Sequence, residues 1–507
     1  MAGAWTALWV TWAGLGWRYF ERVPNGWDQA EYAWAVRDGY LPHSPYVLYY
    51  GLGRASSWLF GDAGVALSAI SAASAALSIV LVAAVSSRLG ASRLVSGLAA
   101  AGLASNYLFV RFAGTQEVYA PQLGVGLFAA WLLASGRPVL GGVAVGAAVT
   151  MHTGSVFLLP ALFVARPGGR AAGPWMTIKP AVIAALVTAM TFGATLLAMP
   201  RLDGGLDKAY LRGIAPGLRW DRLSSGGLWD SAVGLVSRLA APDISEVRLP
   251  AAHFPVGLGA LHLCLAVIGV VVASRRLPSF ARFWACWVLP FLVYEVCLGA
   301  SLDAGIYVVF VLPAVVAMVG YSVEAVSQEI VARGGRRALS LVVATLIFGA
   351  LSVPSVVLLT THRRDVEAFQ ASPRNPERVY DGLDGELPNG SVVIQPRGEW
   401  NGNALAYFGG VRPVFRHASQ LSLFVPRGPL TPLNGSAFVP LTTPLLAGLL
   451  RDGTPVFAFE HDPLSGAPGM DPAEFVWEPV AVAGTGAPAG LFRGKPASVS
   501  PPASRGP

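Results

Sequence analysis

The sequence predicts an all-α membrane domain of about eleven transmembrane helices, followed by a small soluble domain of α/β or mostly β structure. The composition supports the membrane domain, because 54% of the 507 residues are hydrophobic, 13% are charged and the mean hydropathy is +0.53. A soluble chain carries about twice that share of charge. The hydrophobic residues also gather in blocks of about 18–25, the length that a helix needs to cross a bilayer.

The apolar blocks are separated by short polar connections. They lie at 3–19, 63–86, 94–110, 119–135, 138–151, 153–165, 180–199, 254–273, 282–299, 304–322 and 339–359. The stretch 138–165 is divided at His152, because basic connections flank it on both sides and an even number of crossings must separate them. Two short helices are therefore expected to meet at His152.

Basic residues fall in every second connection, which orients the helices with those connections in the cytoplasm. The residues that show this are Arg88, Arg93, Arg137, Arg166, Arg170, Lys179, Arg275, Arg276, Arg333, Arg336 and Arg337. A multi-pass protein of the cell membrane is expected, with a cytoplasmic N-terminus and everything after about 360 outside the cytoplasm. The net charge of +7 is explained by this pattern, so no nucleic-acid partner is predicted.

Three regions follow from the change in composition along the chain. Residues 1–360 are expected to form the membrane domain, 361–484 a soluble domain, and 485–507 a disordered tail rich in Pro, Ser and Gly. Short runs between turn residues predict strands in the soluble domain at Ser391–Gln395, Ala404–Phe408 and Pro455–Phe459.

The first extracytoplasmic connection carries two carboxylates three residues apart, Asp28 and Glu31. On a helix that begins here, both lie on one face. They can be a reactive pair, or they can be a capping box in which Asp28 is the N-cap and Glu31 the third helical residue, before a helix that ends at Gly39. Both interpretations stay open at this stage.

The chain continues through an aromatic-rich segment at 46–60 that contains one basic residue, Arg54. Tyrosine and tryptophan side chains of this kind favour the boundary between lipid and water. The acidic pair is therefore expected close to that boundary.

Two more groups are expected on the same side of the membrane. Glu117 opens the block at 119–135, where a carboxylate can also serve only to offset the helix dipole. His152 lies in the turn that divides 138–165, where a histidine is more often a buried structural residue. The coincidence of four such groups favours a reaction site.

Three patterns in these residues resemble a known family. They are D-x-x-E-Y with L-P-H-x-P-Y-x-L-Y after the first block, A-x-x-x-E-V-Y-A at the start of the fourth, and G-x-x-x-G-A-A-V-T-M-H-T before residue 154. Together they resemble the GT-C-type integral membrane glycosyltransferases of the protein O-mannosyltransferase-like group. The resemblance covers roughly residues 1–165.

The resemblance implies a GT-C-like membrane domain that moves a sugar, of hexosyl or mannosyl type, from a polyprenyl-phosphate donor to an acceptor hydroxyl at the extracytoplasmic face, with inversion. It assigns Asp28 as the base or acceptor-orienting group, with Glu31 beside it. The acceptor, a protein, glycan or lipid, stays open.

The resemblance also implies a set of substrate-binding residues, which are His43, Tyr46, Glu117 and His152. Arg54, Arg111 and His152 are the candidates for contact with the donor phosphate, because cations and hydrogen-bond donors hold a departing phosphate. No Gly-rich phosphate loop is present, which argues against direct use of a nucleotide sugar.

No cofactor is predicted, although a divalent metal stays open. The three cysteines all lie in apolar blocks, which is typical of small core residues and not of a metal site.

The main alternative function is a transporter or lipid flippase, which would place ionisable residues near the middle of the bilayer. The apolar blocks hold few, Glu295 and His262 among them. A further alternative is an inactive relative that uses residues 361–507 as a binding module.

Overall fold

The computed structural model describes residues 27–39, 46–165, 175–198, 256–298, 305–334, 336–372, 380, 383, 387–388, 390–395, 402–417, 420–424, 438–480 and 491–497. The predicted block at 3–19 and the candidate residue His43 lie outside these ranges. The chain divides into two compact units. The first comprises Met1–Arg22, Ser44–Leu197 and Lys208–Val366, and the second Val23–His43, Ala198–Asp207 and Glu367–Pro507.

Helices dominate the described part of the chain up to residue 371. In chain order they are α1 (Trp27–Asp38), α2 (Val47–Phe60), α3 (Ala63–Arg88), α4 (Arg93–Ala104), α5 (Tyr107–Ala113), α6 (Tyr119–Ala134), α7 (Pro138–Met151), α8 (Leu159–Val164), α9 (Trp175–Ala198), α10 (Val256–Arg276), α11 (Pro278–Leu298), α12 (Gly305–Ala332) and α13 (Arg337–Ala371). A 3-10 helix at Thr153–Leu158 joins α7 to α8. Each predicted block within the described residues coincides with helical structure.

Side-chain caps decide where several helices begin. Asp62 accepts a hydrogen bond from the Val65 N–H at 2.7 Å and opens α3. Asn106 accepts one from the Phe109 N–H at 3.2 Å, which starts α5 immediately after α4 has ended. Such caps satisfy backbone N–H groups that have no partner inside the helix. The block predicted at 94–110 is therefore two helices, which meet at an angle of 63°.

Only some of these helices are long and apolar enough to cross a membrane. Among the described residues two qualify, α3 and Val309–Ala332 of α12, and a third crossing results if α4 and α5 count as one bent span. Shorter apolar helical stretches of 10–17 residues, some of them parts of longer helices, lie at Tyr119–Ala134, Pro138–Met151, Thr153–Val164, Ile178–Ala194, Pro278–Val293 and Ala338–Gly349. Within the described residues the expected eleven crossings are thus corrected to two or three, and at 94–110 a break divides a block that looks continuous in the sequence.

Glycines let neighbouring helices of the first unit approach closely. A Cβ atom at Gly269 of α10 would overlap the carbonyl oxygen of Met318 on α12. The Ser322 hydroxyl of α12 donates a hydrogen bond of 2.5 Å to the Leu265 carbonyl of α10 in the same contact. Small residues at helix contacts bring the backbones together and increase van der Waals packing, which holds helices together in lipid.

The second unit contains a seven-stranded mixed sheet. Its elements in chain order are β1 (Val392–Ile394), α14 (Gly402–Gly409), β2 (Arg412–His417), β3 (Gln420–Phe424), β4 (Phe438–Pro440), α15 (Thr443–Arg451), β5 (Val456–Ala458), β6 (Phe475–Val480) and β7 (Leu491–Pro496). The strand order is β4-β3-β2-β1-β5-β7-β6, with β1 parallel to β2 and β5 and the remaining pairs antiparallel. An α/β domain is therefore observed.

Two of the three predicted strands are confirmed. Ser391–Gln395 contains β1 and Pro455–Phe459 contains β5, but Ala404–Phe408 is wrong because it lies within α14. The reason is topological, since a connection between parallel strands such as β1 and β2 must cross back over the sheet, usually as a helix. The tail predicted as disordered from 485 is also corrected, because Leu491–Pro496 pairs with β5 and β6.

The helix of the first connection belongs to the second unit. Ala30 of α1 lies in one core cluster with Val393 of β1 and Leu405 of α14. The Arg37 guanidinium donates hydrogen bonds to the carbonyl oxygens of Ala406, at 2.9 Å, and Tyr407. The segment that carries the acidic pair, assigned to the membrane domain from sequence, is thus packed on the C-terminal sheet domain.

The contact between α10 and α12 gives a prediction about stability. We expect Gly269→Ala to lower the free energy of unfolding by about 1–3 kcal/mol, because the added methyl group meets backbone that cannot rotate away. The measurement is thermal unfolding of the purified protein in detergent. Gly349→Ala is the control, since a Cβ there has no atom within 4 Å and alanine favours a helix. Equal stability of both variants would contradict the described contact.

Candidate active site

The acidic pair lies within α1 and not at its cap. The helix begins at Trp27, so Asp28 is in its first turn and Glu31 follows one turn later. The capping-box interpretation needs Asp28 before the first helical residue, and the observed start of the helix does not provide this. Asp28 is half-buried, whereas Glu31 is only 4% exposed. The two carboxylates therefore have different access to solvent.

α1 ends at Gly39, directly after Asp38, whose carboxylate pairs with other side chains of the helix. Gly39 has a φ of 75°, a left-handed conformation that glycine adopts readily, and it ends the helix where the sequence predicts. Asp38 accepts a hydrogen bond of 2.6 Å from Trp34 Nε1 and pairs with Arg37 Nε at 2.7 Å. Arg37 in turn contacts α14. Asp38 thus pairs within α1 with the arginine that contacts α14.

His152 marks the break between α7 and the following 3-10 helix. Its backbone is extended, with φ −157° and ψ 126°, and its Nδ1 accepts a hydrogen bond of 2.9 Å from the Gly154 N–H. The other ring nitrogen, Nε2, therefore carries the hydrogen of the neutral imidazole. The predicted meeting of two helices at this residue is confirmed.

Aromatic rings enclose the His152 imidazole. Tyr46 stacks on it with ring centroids 4.5 Å apart, and the rings of Tyr119 and Phe310 lie at 5.8 and 6.4 Å. Trp287 Nε1 donates a hydrogen bond of 2.7 Å to the Phe310 carbonyl and so positions that residue. Burial lowers the pKa of His152 to about 3. His152 is a neutral hydrogen-bond donor at physiological pH and not a cation.

Glu117 lies at the junction of α2, α3 and α6. Its carbonyl accepts a hydrogen bond of 2.9 Å from the Ser71 hydroxyl of α3. Tyr49 of α2 is fully buried beside both residues, and this burial raises the pKa of its phenol well above the usual value. The charge of Glu117 acts in the same direction, and a hydrogen bond with Ser71 acts against it. Tyr49 therefore remains a protonated phenol next to Glu117.

The two candidate arginines have different surroundings. Arg111 in α5 is half-buried, with its guanidinium carbon 5.8 Å from the centre of the Phe112 ring. Arg54 is exposed on α2. The same helix exposes a large apolar side chain, Trp58, at 86%.

The structure brings some of the predicted site residues into contact with aromatic side chains of α2 or the residue before it, and leaves others in the second unit. It brings Tyr46 against His152 and Tyr49 against Glu117, all in the first unit, whereas Asp28 and Glu31 belong to the second unit. Sequence reasoning missed Tyr49, Ser71 and Gln122. A signal for Gln122 exists, since it is a polar residue at the start of an otherwise apolar helix. Within the described residues no three His, Cys, Asp or Glu side chains are grouped to hold a metal.

Comparison with known proteins gives matches among solved structures. No protein-family model and no curated protein sequence matches the chain. ArnT from Cupriavidus metallidurans bound to undecaprenyl phosphate matches with a TM-score of 0.59 and 13% identity, over 97% of this chain and 98% of that one. Its apo form matches with a TM-score of 0.60 over the same shares. The apo oligosaccharyltransferase of Archaeoglobus fulgidus matches with a TM-score of 0.51 and 12% identity, over 81% of this chain and 64% of that one.

The chain has the GT-C fold. Both matched proteins are GT-C-type membrane glycosyltransferases, so the resemblance seen in the first 165 residues is confirmed. At 12–13% identity the matches establish the fold alone. One fold hosts many activities, so the activity of this GT-C chain depends on the residues of its site.

The neutrality of His152 predicts how stability depends on pH. The unfolded chain takes up a proton on this residue near pH 6.5, but the folded chain does so only near pH 3. The stability contributed by the neutral ring is present above about pH 6.5 and is lost as the pH falls toward 3, by about 3 kcal/mol at pH 4.

The test is to compare His152→Asn with the wild type, because the asparagine oxygen can still accept from the Gly154 N–H. We expect the variant to lose less stability between pH 7 and pH 4, as followed by unfolding temperature. Parallel pH curves for the two proteins would mean that folding does not lower the pKa of His152.

Proposed function

We propose that this protein transfers a sugar from a polyprenyl-phosphate donor to an acceptor hydroxyl at the extracytoplasmic face of the membrane. The observation that carries the proposal is the structural match to ArnT, which covers 97% of this chain. The matched ArnT structure is bound to undecaprenyl phosphate. The chemistry of the site residues supports it independently.

The surroundings of α2 suit a lipid-linked donor. The prenyl tail of such a donor stays in the bilayer while its phosphate lies at the boundary with water. The exposed Trp58, Leu59 and Phe60 at the end of α2 favour that boundary. Arg111 and Arg54 are our candidates for the phosphate, because its negative charge grows as the bond to the sugar breaks. His152 is neutral and therefore offers no positive charge to the phosphate.

Asp28 is our candidate for the general base. The acceptor oxygen attacks the anomeric carbon from the face opposite the phosphate, and its proton passes to the Asp28 carboxylate. The bond from the anomeric carbon to the phosphate oxygen breaks, and polyprenyl phosphate leaves with the bonding electrons. Asp28 is the more accessible carboxylate of the pair, which suits contact with a substrate, and the buried Glu31 suits an orienting role. Inversion at the anomeric carbon follows from this single displacement.

The resemblance of the first-connection motifs favours a hexose such as mannose as the transferred sugar. A protein, a glycan and a lipid all remain candidate acceptors. The direct assay uses purified protein in lipid nanodiscs with a panel of radiolabelled polyprenyl-phosphate sugars. Release of free polyprenyl phosphate supports the proposal. Movement of intact donor across a vesicle membrane without cleavage supports the transporter alternative.

Asp28→Asn tests the general base. Asparagine keeps the size of the side chain but cannot take up the proton, so we expect transfer to fall by about 10²–10⁴-fold with the unfolding temperature unchanged. Asp62→Asn is the matched control, because Asp62 caps α3 at an exposed position and asparagine caps equally well. Wild-type turnover by Asp28→Asn would remove Asp28 from the mechanism.

The arrangement across the membrane is a separate proposal, in which Arg336 faces the cytoplasm and the second unit's Asp452 faces outside. Single cysteines at these positions, in a background with Cys264, Cys286 and Cys297 replaced by serine, would be labelled with a membrane-impermeant maleimide. We expect intact cells to be labelled at 452 only, and at 336 after lysis. Labelling of intact cells at 336 would reverse the orientation.

A further inference from the structure

A set of buried polar side chains stands next to the break at His152. Gln122 of α6 is 0% exposed, His152 is 4% exposed and Ser155 is 1% exposed. Both amide atoms of Gln122, Nε2 of His152 and Oγ of Ser155 have no hydrogen-bond partner among the described residues. Four orphaned polar atoms therefore belong to three side chains.

The His152 and Gln122 side chains are neighbours in space, and Ser155 belongs to the same turn as His152. A Cβ atom at Gly154 would lie 2.8 Å from His152 Nδ1 and 3.6 Å from Gln122 Nε2, so the Gly154 backbone lies between the two. The Ser155 N–H donates a hydrogen bond of 2.9 Å to the His152 carbonyl, which fixes the next residue in the same turn. The absence of a side chain at 154 keeps the imidazole and the amide close.

Buried polar atoms without a hydrogen bond destabilise the folded protein unless a partner binds them. Each buried donor or acceptor without a hydrogen bond costs about 1–3 kcal/mol. The hydroxyls of Ser86 and Ser96 are also buried without a described partner, but each of them is a single polar atom. Three adjacent side chains with the same deficit indicate a site that a polar ligand completes.

The mixture of hydrogen-bond donors and acceptors on His152 and Gln122 suits hydroxyl groups better than a phosphate. Nε2 of His152 and Nε2 of Gln122 donate, but the Gln122 oxygen only accepts. A phosphate dianion offers acceptors alone and would leave that oxygen without a donor, whereas a sugar hydroxyl both donates and accepts. The rings of Tyr46, Tyr119 and Phe310 around the imidazole offer apolar faces for the C–H groups of a sugar.

We infer that Gln122, His152 and Ser155 bind the hydroxyl groups of the donor sugar and so determine which sugar is transferred. The inference rests on the proposed function and adds the residues that recognise the sugar. Tyr46 stacks on the imidazole and so lies against the proposed sugar site.

The decisive variant is Gln122→Leu, which keeps the volume of the side chain but removes both polar atoms. The KM for a polyprenyl-phosphate hexose should rise about tenfold to a hundredfold, because the sugar hydroxyls lose their partners. The Kd for bare undecaprenyl phosphate, which lacks the sugar, should stay unchanged. The unfolding temperature of the ligand-free protein should stay the same or rise, since buried atoms without partners are removed.

Ser155→Ala should give a smaller rise in KM of the same kind, about three- to tenfold. Ser86→Ala is its matched control, because Ser86 is a buried serine with an orphaned hydroxyl on α3. We expect Ser86→Ala to leave the KM unchanged. An equal rise in both serine variants would overturn the assignment.

The failure of this inference and the failure of the proposed function give different results. If wild-type protein consumes no polyprenyl-phosphate sugar, the proposed function fails. If the wild type is active but Gln122→Leu keeps its KM and loses thermal stability, the polar atoms bind structural water and the inference fails. A loss of affinity for bare undecaprenyl phosphate as large as the rise in KM would place the phosphate and not the sugar at this site.

Discussion

The hydrogen bond from the Gly154 N–H to His152 Nδ1 is the interaction on which the candidate site depends. It ends α7, because the bonded conformation needs an extended backbone at residue 152. It also fixes the tautomer of the imidazole, since a ring nitrogen that accepts cannot carry the hydrogen. Nε2 is thus the nitrogen that carries the hydrogen, in a ring on which Tyr46 stacks.

The buried setting decides which groups are charged. The enclosed imidazole is neutral because desolvation disfavours its protonated form, and the buried Tyr49 phenol stays protonated for the same reason. Charge in the described first unit is thus left to groups such as Glu117 and Arg111, which are half-buried. The described first unit thus separates neutral buried side chains such as His152 and Tyr49 from charged groups at its half-buried positions.

The helix with the acidic pair depends on the C-terminal domain. Arg37 joins α1 to the carbonyl oxygens of α14, and Ala30 shares a core with β1. The sheet domain thus supports Asp28 and Glu31 by packing as well as by hydrogen bonds. A domain that looks like an appendage in the sequence therefore holds the residues that the loop motifs single out.

The sequence by itself determined the helical segments, the acidic pair, the break at His152 and the GT-C resemblance, because hydrophobic block length, local turn residues and motif spacing are properties of short stretches. It did not determine that Ala404–Phe408 forms a helix, since that follows from the crossover between two parallel strands. Nor did it show that β7 completes the sheet, or that Gln122 and Tyr49 lie beside the candidate residues. These features depend on contacts between residues far apart in the chain, which only the tertiary structure decides.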